Sequence, residues 1–290
     1  MKKAQIEKLI EKRFGTLSPQ LKKAARFVVT HAEDIALESM RTVAAKAQVR
    51  PTSMLRFARE IGFASYDTFR EPYRSWLGER YSSFSVRAKE LRRLPHGDMN
   101  GALIARIAQH EVRNLHQTFS SENVDRISAA HAIVAAANRV YIVGLRSLHP
   151  AAFYLHYVCR MFMGKTILLT GAGGTFADDL RRIGSDDALV AFSYHPYAKD
   201  AVRAVGFARS RNARIVSITD SVLSPIASAA DSLIVVTNNT PSLFPSVLPA
   251  LAVAQALVAL LVANSGEETL REIANSEAQL HGFSVYHERK

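Results

Sequence analysis

The sequence predicts two folds in tandem: an all-α head carrying a helix-turn-helix, then an α/β tail built on a five-stranded parallel sheet in three layers, Rossmann-like or flavodoxin-like. Three observations carry this prediction. Apolar residues up to about Tyr81 recur at helical spacing, with short turns between the segments. From Val140 onward, short β-rich runs alternate with helical segments, the pattern of a parallel sheet covered on both faces. Nearly all the excess positive charge lies in the first third: residues 1–94 hold 20 Lys and Arg against 10 Asp and Glu, and residues 95–290 hold 17 against 16. Such a split places the contact with a polyanion, most commonly nucleic acid, in the head.

In chain order, Ile6, Leu9, Ile10 and Phe14 mark a first helix. Ser18-Pro19 reads as an N-cap followed by proline at the first helical position, and Leu21, Ala24, Ala25, Val28 and Val29 form the stripe of the helix it opens. A short helix covers Ala32 to Leu37, two more lie between Thr42 and Ile61, and Gly62 stops the last. Another begins near Ser65 and carries Tyr66, Phe69, Tyr73, Trp76 and Leu77. The head is thus assigned to residues 1–83. A linker follows at 84–98, where a charged run ends at Pro95-His96-Gly97. Residues 99–290 form the tail, with helices at about 100–119 and 124–137. Its strands are Val140–Val143, Thr166–Leu169, Ala188–Phe192, Arg214–Ile218 and Leu233–Val236. The apolar run Val247–Ala263 is interrupted by Pro249 and Gln255 and reads as a buried helix, not a membrane span.

The stretch from Thr42 to Ile61 has helix-turn-helix spacing. Ala44 and Ala47 are small where two helices cross, Val49 plugs the turn and Pro51 opens the second helix. Met54, Phe57, Ala58 and Ile61 share the inward face, while Thr52, Arg56 and Arg59 point out with Ser53 and Leu55 at the edges. A second helix with outward polar residues at its N-terminus is the element that enters a major groove. Arg50, Thr52, Ser53, Leu55, Arg56 and Arg59 are therefore the candidate DNA contacts. Arg56 suits a guanine edge and Leu55 a thymine methyl.

Met54-Leu55-Arg56-Phe57-Ala58-Arg59-Glu60-Ile61-Gly62-Phe63, with Tyr66, Phe69-Arg70 and the upstream Leu17-Ser18-Pro19-Gln20, resembles the helix-turn-helix of RpiR-type regulators. Two positions depart from that pattern: Arg50 stands where the family has a capping serine, and Gln48 where it favours a small turn residue. The tail resembles the sugar isomerase (SIS) domain of the same family. The match runs through Val140-Tyr141-Ile142-Val143-Gly144-Leu145-Arg146-Ser147, Ala191-Phe192-Ser193-Tyr194, Ala213–Asp220, Leu223–Ala227 and Ala230-Asp231.

The resemblance implies a transcription regulator that binds a double-stranded operator as a homodimer or homotetramer and senses a sugar phosphate or related small anion. The alternative it leaves open is a sugar-phosphate isomerase. Gly144, Arg146, Ser147, Ser193, His195 and Thr219, at the carboxyl ends of strands, are the candidate ligand residues. Where the family commonly has Ser-x-Ser-Gly-x-Thr, this chain has Ser193-Tyr194-His195-Pro196-Tyr197-Ala198.

Catalytic motifs are not expected. His110-Glu111 is followed by Asn114 where a zinc-protease helix needs histidine, no Gly-x-Ser-x-Gly elbow occurs, and Gly171–Thr175 lacks the spacing and lysine of a P-loop. Tyr194, His195 and Tyr197 at a strand end read as recognition residues rather than an acid/base pair. No metal or cofactor is expected. The single cysteine, Cys159, permits no internal disulfide, and Met1–Glu7 does not read as a signal peptide; both fit a cytoplasmic protein.

Overall fold

Ile6 and Ile10 lie one turn apart, and both are fully covered on helix α1 (Lys3–Arg13). The computed structural model describes residues 3–81, 84–93 and 99–287, and the chain divides into two units between Val86 and Arg87. The head continues with α2 (Pro19–Thr30), α3 (Ala32–Leu37), α4 (Met40–Lys46), α5 (Pro51–Glu60) and α6 (Tyr66–Tyr81). Pro19 sits in the first turn of α2, but the Ser18 hydroxyl makes no capping bond. Ser39 caps α4 instead, accepting from the Thr42 N–H at 3.2 Å. Leu21, Ala24, Ala25 and Val28 of α2 are buried as expected. Val29, assigned to the same stripe, is exposed, because a further 100° carries it off the edge of that face.

A cluster of aromatic rings sits within the mostly aliphatic core of the head. The Phe69 ring lies 5.8 Å from Phe57 and 5.5 Å from Phe63, both edge-on, and 5.4 Å from Tyr73. Such geometry sets the positive ring edge against the negative ring face. Phe57, Phe69 and Tyr73 are fully buried.

Residues 84–92, read from sequence as linker, form a helix, α7 (Phe84–Arg92), and the division between units falls inside it. Ala88, Lys89, Glu90, Leu91 and Arg92 are all good helix formers, which outweighs the lack of a clear apolar stripe. Pro95, His96 and Gly97 lie outside the described residues.

The tail starts with α8 (Met99–Thr118) and α9 (Ser121–Ala136). The sheet follows as β1 (Val140–Gly144), α10 (His149–Cys159), β2 (Thr166–Leu169), α11 (Phe176–Leu180), β3 (Ala188–Ser193), α12 (Lys199–Ser210), β4 (Arg214–Thr219) and β5 (Ser232–Val235). Helices α13 (Leu248–Ala263) and α14 (Glu267–Gly282) close the unit. All strand pairs are parallel in the order β2-β1-β3-β4-β5. Alternation along each strand splits the core. Val140, Ile142 and Val190 pack with α9, α10 and α13, whereas Tyr141, Val143, Leu189 and Ala191 pack with α11 and α12. The result is the three-layer α/β fold expected. α13 forms the buried helix read from sequence, and among the described residues no single helix is long and apolar enough to cross a membrane.

Neighbours β2 and β3 lead away from β1 in opposite directions, so the strand order switches there. Beyond the carboxyl ends of β1 and β3 lies the crevice where sheets of this kind take ligands.

Candidate functional site

The first candidate surface is α5 and the turn before it. The Val49 N–H donates to the Ala44 carbonyl at 2.9 Å and the Gln48 N–H to Ala45 at 3.0 Å, closing α4 in a Schellman turn. This geometry puts Gln48 at φ +54°, where a Cβ costs about 1 kcal/mol that glycine avoids. Gly62 closes α5 in the same way at φ +100°. Val49 is half-buried against the head core, and Ala44 and Ala47 are buried at the crossing.

Met54, Phe57 and Ala58 of α5 face inward, followed by Ile61. Thr52, Arg56 and Arg59 are exposed, as is Arg50. Ser53 and Leu55 are half-buried, and Leu55 also packs against the head core, so only part of it faces outward. Arg50 occupies the N-cap position without a side-chain bond to the helix, and Pro51 has no N–H. The first-turn N–H of Thr52 therefore stays open to an acceptor such as a phosphate oxygen.

Other basic side chains hold α4 and α5 in place. Arg13 donates to the Glu60 carbonyl at the end of α5. Lys46 pairs with Asp34 at 3.0 Å and Glu38 at 3.5 Å, and the Asp34 bond raises its pKa above the ordinary lysine value. Arg70 donates to the Ala36 and Leu37 carbonyls that end α3. Arg50, Arg56 and Arg59 form no ion pair within the described residues. Part of the head's charge thus fixes the fold, and the part on α5 faces solvent.

The second candidate surface is the β1/β3 crevice of the tail. Gly144 ends β1 where α10 folds back. A Cβ there would stand 2.6 Å from the Leu148 carbonyl oxygen and 2.8 Å from the Ala152 Cβ, so only glycine permits this approach. Arg146 follows at φ +56° and is exposed, with Ser147 half-buried beside it. Ser193 ends β3 and is buried directly opposite Thr219 on β4. Neither α10 nor α12 has a side-chain cap; the His149 N–H of α10 donates to the Arg146 carbonyl and Pro150 has none, so the first-turn N–H groups left at the rim are those of α12.

Not all six candidates face this crevice alike. Thr219 is fully buried and its hydroxyl donates to the Ser193 carbonyl at 2.7 Å, so it ties two strand ends together. His195 is half-buried, and its backbone N–H donates to Asp220 Oδ2 at 3.3 Å. The Tyr197 hydroxyl donates to Asp220 Oδ1 at 3.1 Å, and the Tyr197 ring meets His195 edge-on. Asp220 was not singled out from sequence, yet it clamps the whole β3 loop. Its neighbour in the chain, Thr219, gave the one available signal: consecutive polar residues at the end of an apolar strand.

A model described as SIS domain matches residues 133–262. That match spans all five strands of the tail. An uncharacterized HTH-type transcriptional regulator of Caldanaerobacter subterraneus subsp. tengcongensis is 22% identical over 234 residues, 77% of each chain. Among solved structures, the sugar isomerase domain of an RpiR transcription factor from Sphaerobacter thermophilus is 26% identical with a TM-score of 0.55, covering 61% of this chain and 98% of that one. The Vibrio vulnificus NanR protein, solved with ManNAc-6P, covers 98% of this chain and 100% of its own at 18% identity and a TM-score of 0.57. The chain thus shares its fold with NanR over nearly its full length. Within the SIS domain, the hydroxyl-rich β3 loop expected for phosphate is here a Tyr-His-Pro-Tyr segment braced by Asp220.

Proposed function

We propose that this chain is a DNA-binding transcription regulator of the cytoplasm whose operator affinity is set by a sugar phosphate or a related small anion held in the SIS domain. The observation that carries the reading is the exposed Thr52, Arg56 and Arg59 face on a helix whose opposite face is locked into the head core. The relatives described as HTH-type regulators, matched over 77% of this chain, support it. Arg50, Ser53 and Leu55 flank the reading face.

On the ligand side, Ser147, Ser193 and the open N–H groups of α12 serve as donors, and Arg146 adds a full charge. Gly144 shapes the turn and Thr219 positions Ser193. Paired half-sites on an operator call for a homodimer or homotetramer. Phe153 and Tyr157, exposed on α10 with stacked rings 5.9 Å apart, are an apolar surface suited to that contact. The isomerase alternative draws on the Asp220, Tyr197 and His195 contacts but gives the exposed α5 face no role.

The test is the response of a DNA complex to hexose 6-phosphates. Wild-type protein shifts its affinity for an operator fragment when the matching sugar phosphate is added. Ser193→Ala, which keeps the backbone bond from Thr219, requires about 10- to 100-fold more of it, the loss expected for one hydrogen bond to a charged group. An unchanged response removes Ser193 from the site, and turnover of the sugar phosphate without any DNA complex favours the isomerase.

A further inference from the structure

Resting on the sugar-phosphate reading, we propose that Glu111 of α8, with Asn238 and Tyr194, forms the subsite that reads the uncharged, hydroxyl-bearing half of the ligand. These residues come from three separate parts of the tail. Glu111 Oε2 accepts from the Ser246 hydroxyl at 2.6 Å and from Asn114 Nδ2 at 3.2 Å. Asn114 Nδ2 also reaches the Asn239 carbonyl at 2.9 Å, and the Ser246 N–H donates to the Asn238 carbonyl at 2.9 Å. The Ser246 hydroxyl in turn accepts from the Leu248 N–H at the start of α13. One network thus joins α8, the segment after β5 and the first turn of α13.

The network leaves polar atoms without partners. Asn238 and Tyr194 are 9% and 5% exposed; among the described residues Asn238 Nδ2 has no hydrogen-bond partner, and the Tyr194 oxygen meets the Ala250 backbone N–H, which leaves its own O–H to donate. The Thr240 hydroxyl, two residues beyond Asn238, is also unpartnered. Buried polar atoms are nearly always satisfied, so Asn238 and Thr240, close in the chain, mark where another molecule's groups belong. Tyr194 lies beside the proposed anion site: it follows Ser193 directly, and the Asp220 and Glu111 carboxylates both reinforce the rise in its hydroxyl pKa caused by burial. The open side is Glu111 Oε1, which accepts no hydrogen bond, on a half-buried residue.

The chemistry of this set is specific. A carboxylate accepts from hydroxyl or amide N–H groups, an amide N–H₂ and a phenol donate to hydroxyl or carbonyl oxygens, and a second anionic group would be repelled. The anion therefore points to the β1/β3 crevice and the polyhydroxy end, with or without an acetamido group, points to α8.

The test is calorimetric titration of the full chain with inorganic phosphate and with glucose 6-phosphate, glucosamine 6-phosphate and N-acetylmannosamine 6-phosphate. In the wild type the best sugar phosphate binds at least about tenfold tighter than inorganic phosphate, and in Glu111→Gln that advantage shrinks to about threefold or less. Asn238→Leu, which keeps the branching and heavy-atom count of the side chain, gives the same loss and stands in if Glu111→Gln melts early. A full sugar advantage in both variants overturns the subsite and leaves the sugar-phosphate reading standing. A wild type that binds no member of the panel overturns that reading and the subsite with it.

Discussion

Arg56→Ala lowers affinity for the operator by about 1–3 kcal/mol, roughly 5- to 150-fold, while affinity for random DNA of equal length falls far less. The asymmetry follows from where Arg56 sits. It is exposed on the second turn of α5, forms no ion pair within the described residues, and projects opposite Met54, Phe57 and Ala58, whose burial fixes the helix orientation. An arginine so placed can hold both acceptors of a guanine edge, and alanine removes both bonds at once. Competition binding with operator and random duplexes measures the two losses separately. Equal losses on both would make Arg56 a phosphate contact and move base reading to Thr52 or Arg59.

Phe69→Ala destabilises the head by about 3–5 kcal/mol, enough to unfold it in a substantial fraction of molecules. The ring of Phe69 is the hub of the head core, touching Phe57 on α5 and Tyr66 and Tyr73 on its own helix, with Phe63 in the turn between. A cavity at that position removes the support of the DNA-facing helix itself. The chain's single tryptophan, Trp76, lies on α6 with Lys3 Nζ 4.6 Å from its ring centroid, so its fluorescence reports the head alone. Denaturant titration followed by that fluorescence shows the early transition, and circular dichroism, dominated by the larger tail, keeps its later one. A loss below about 1.5 kcal/mol would mean the hub repacks around the missing ring, as some core sites do.

What could be read from sequence was whatever depends on local periodicity. The five strands were located within a residue or two because β-branched runs bounded by polar residues leave few other options, and α4 and α5 followed from Ala44, Ala47, Val49 and Pro51. Val29 was misplaced because it lies at the edge of a stripe, where spacing alone does not separate covered from open. That residues 84–92 are helical was not foreseen, because their charge hides a modest helical preference.

At the candidate sites, the spacing of α5 identified the exposed arginines, and Gly144 and Ser193 fell at strand ends as patterned loops suggest. Asp220, Glu111 and Asn238 were invisible as site residues. Asp220 meets partners 23 and 25 residues away, and Glu111 meets Ser246 135 residues away, contacts that exist only once the sheet and α13 are assembled. Thr219 shows the converse: a hydroxyl in the right loop by sequence, already committed to the Ser193 carbonyl in the fold.

Operator binding measured against salt concentration, with and without the best-binding hexose 6-phosphate, tests the coupling of head and SIS domain most directly. The expected record is a linear fall of log affinity with log salt, with a slope of about −0.9 for each phosphate contacted, displaced as a whole by about 5- to 150-fold when the sugar phosphate is present. Lines that coincide with and without every hexose phosphate, or an affinity indifferent to salt, would contradict a DNA-gripping head governed by the ligand in its tail.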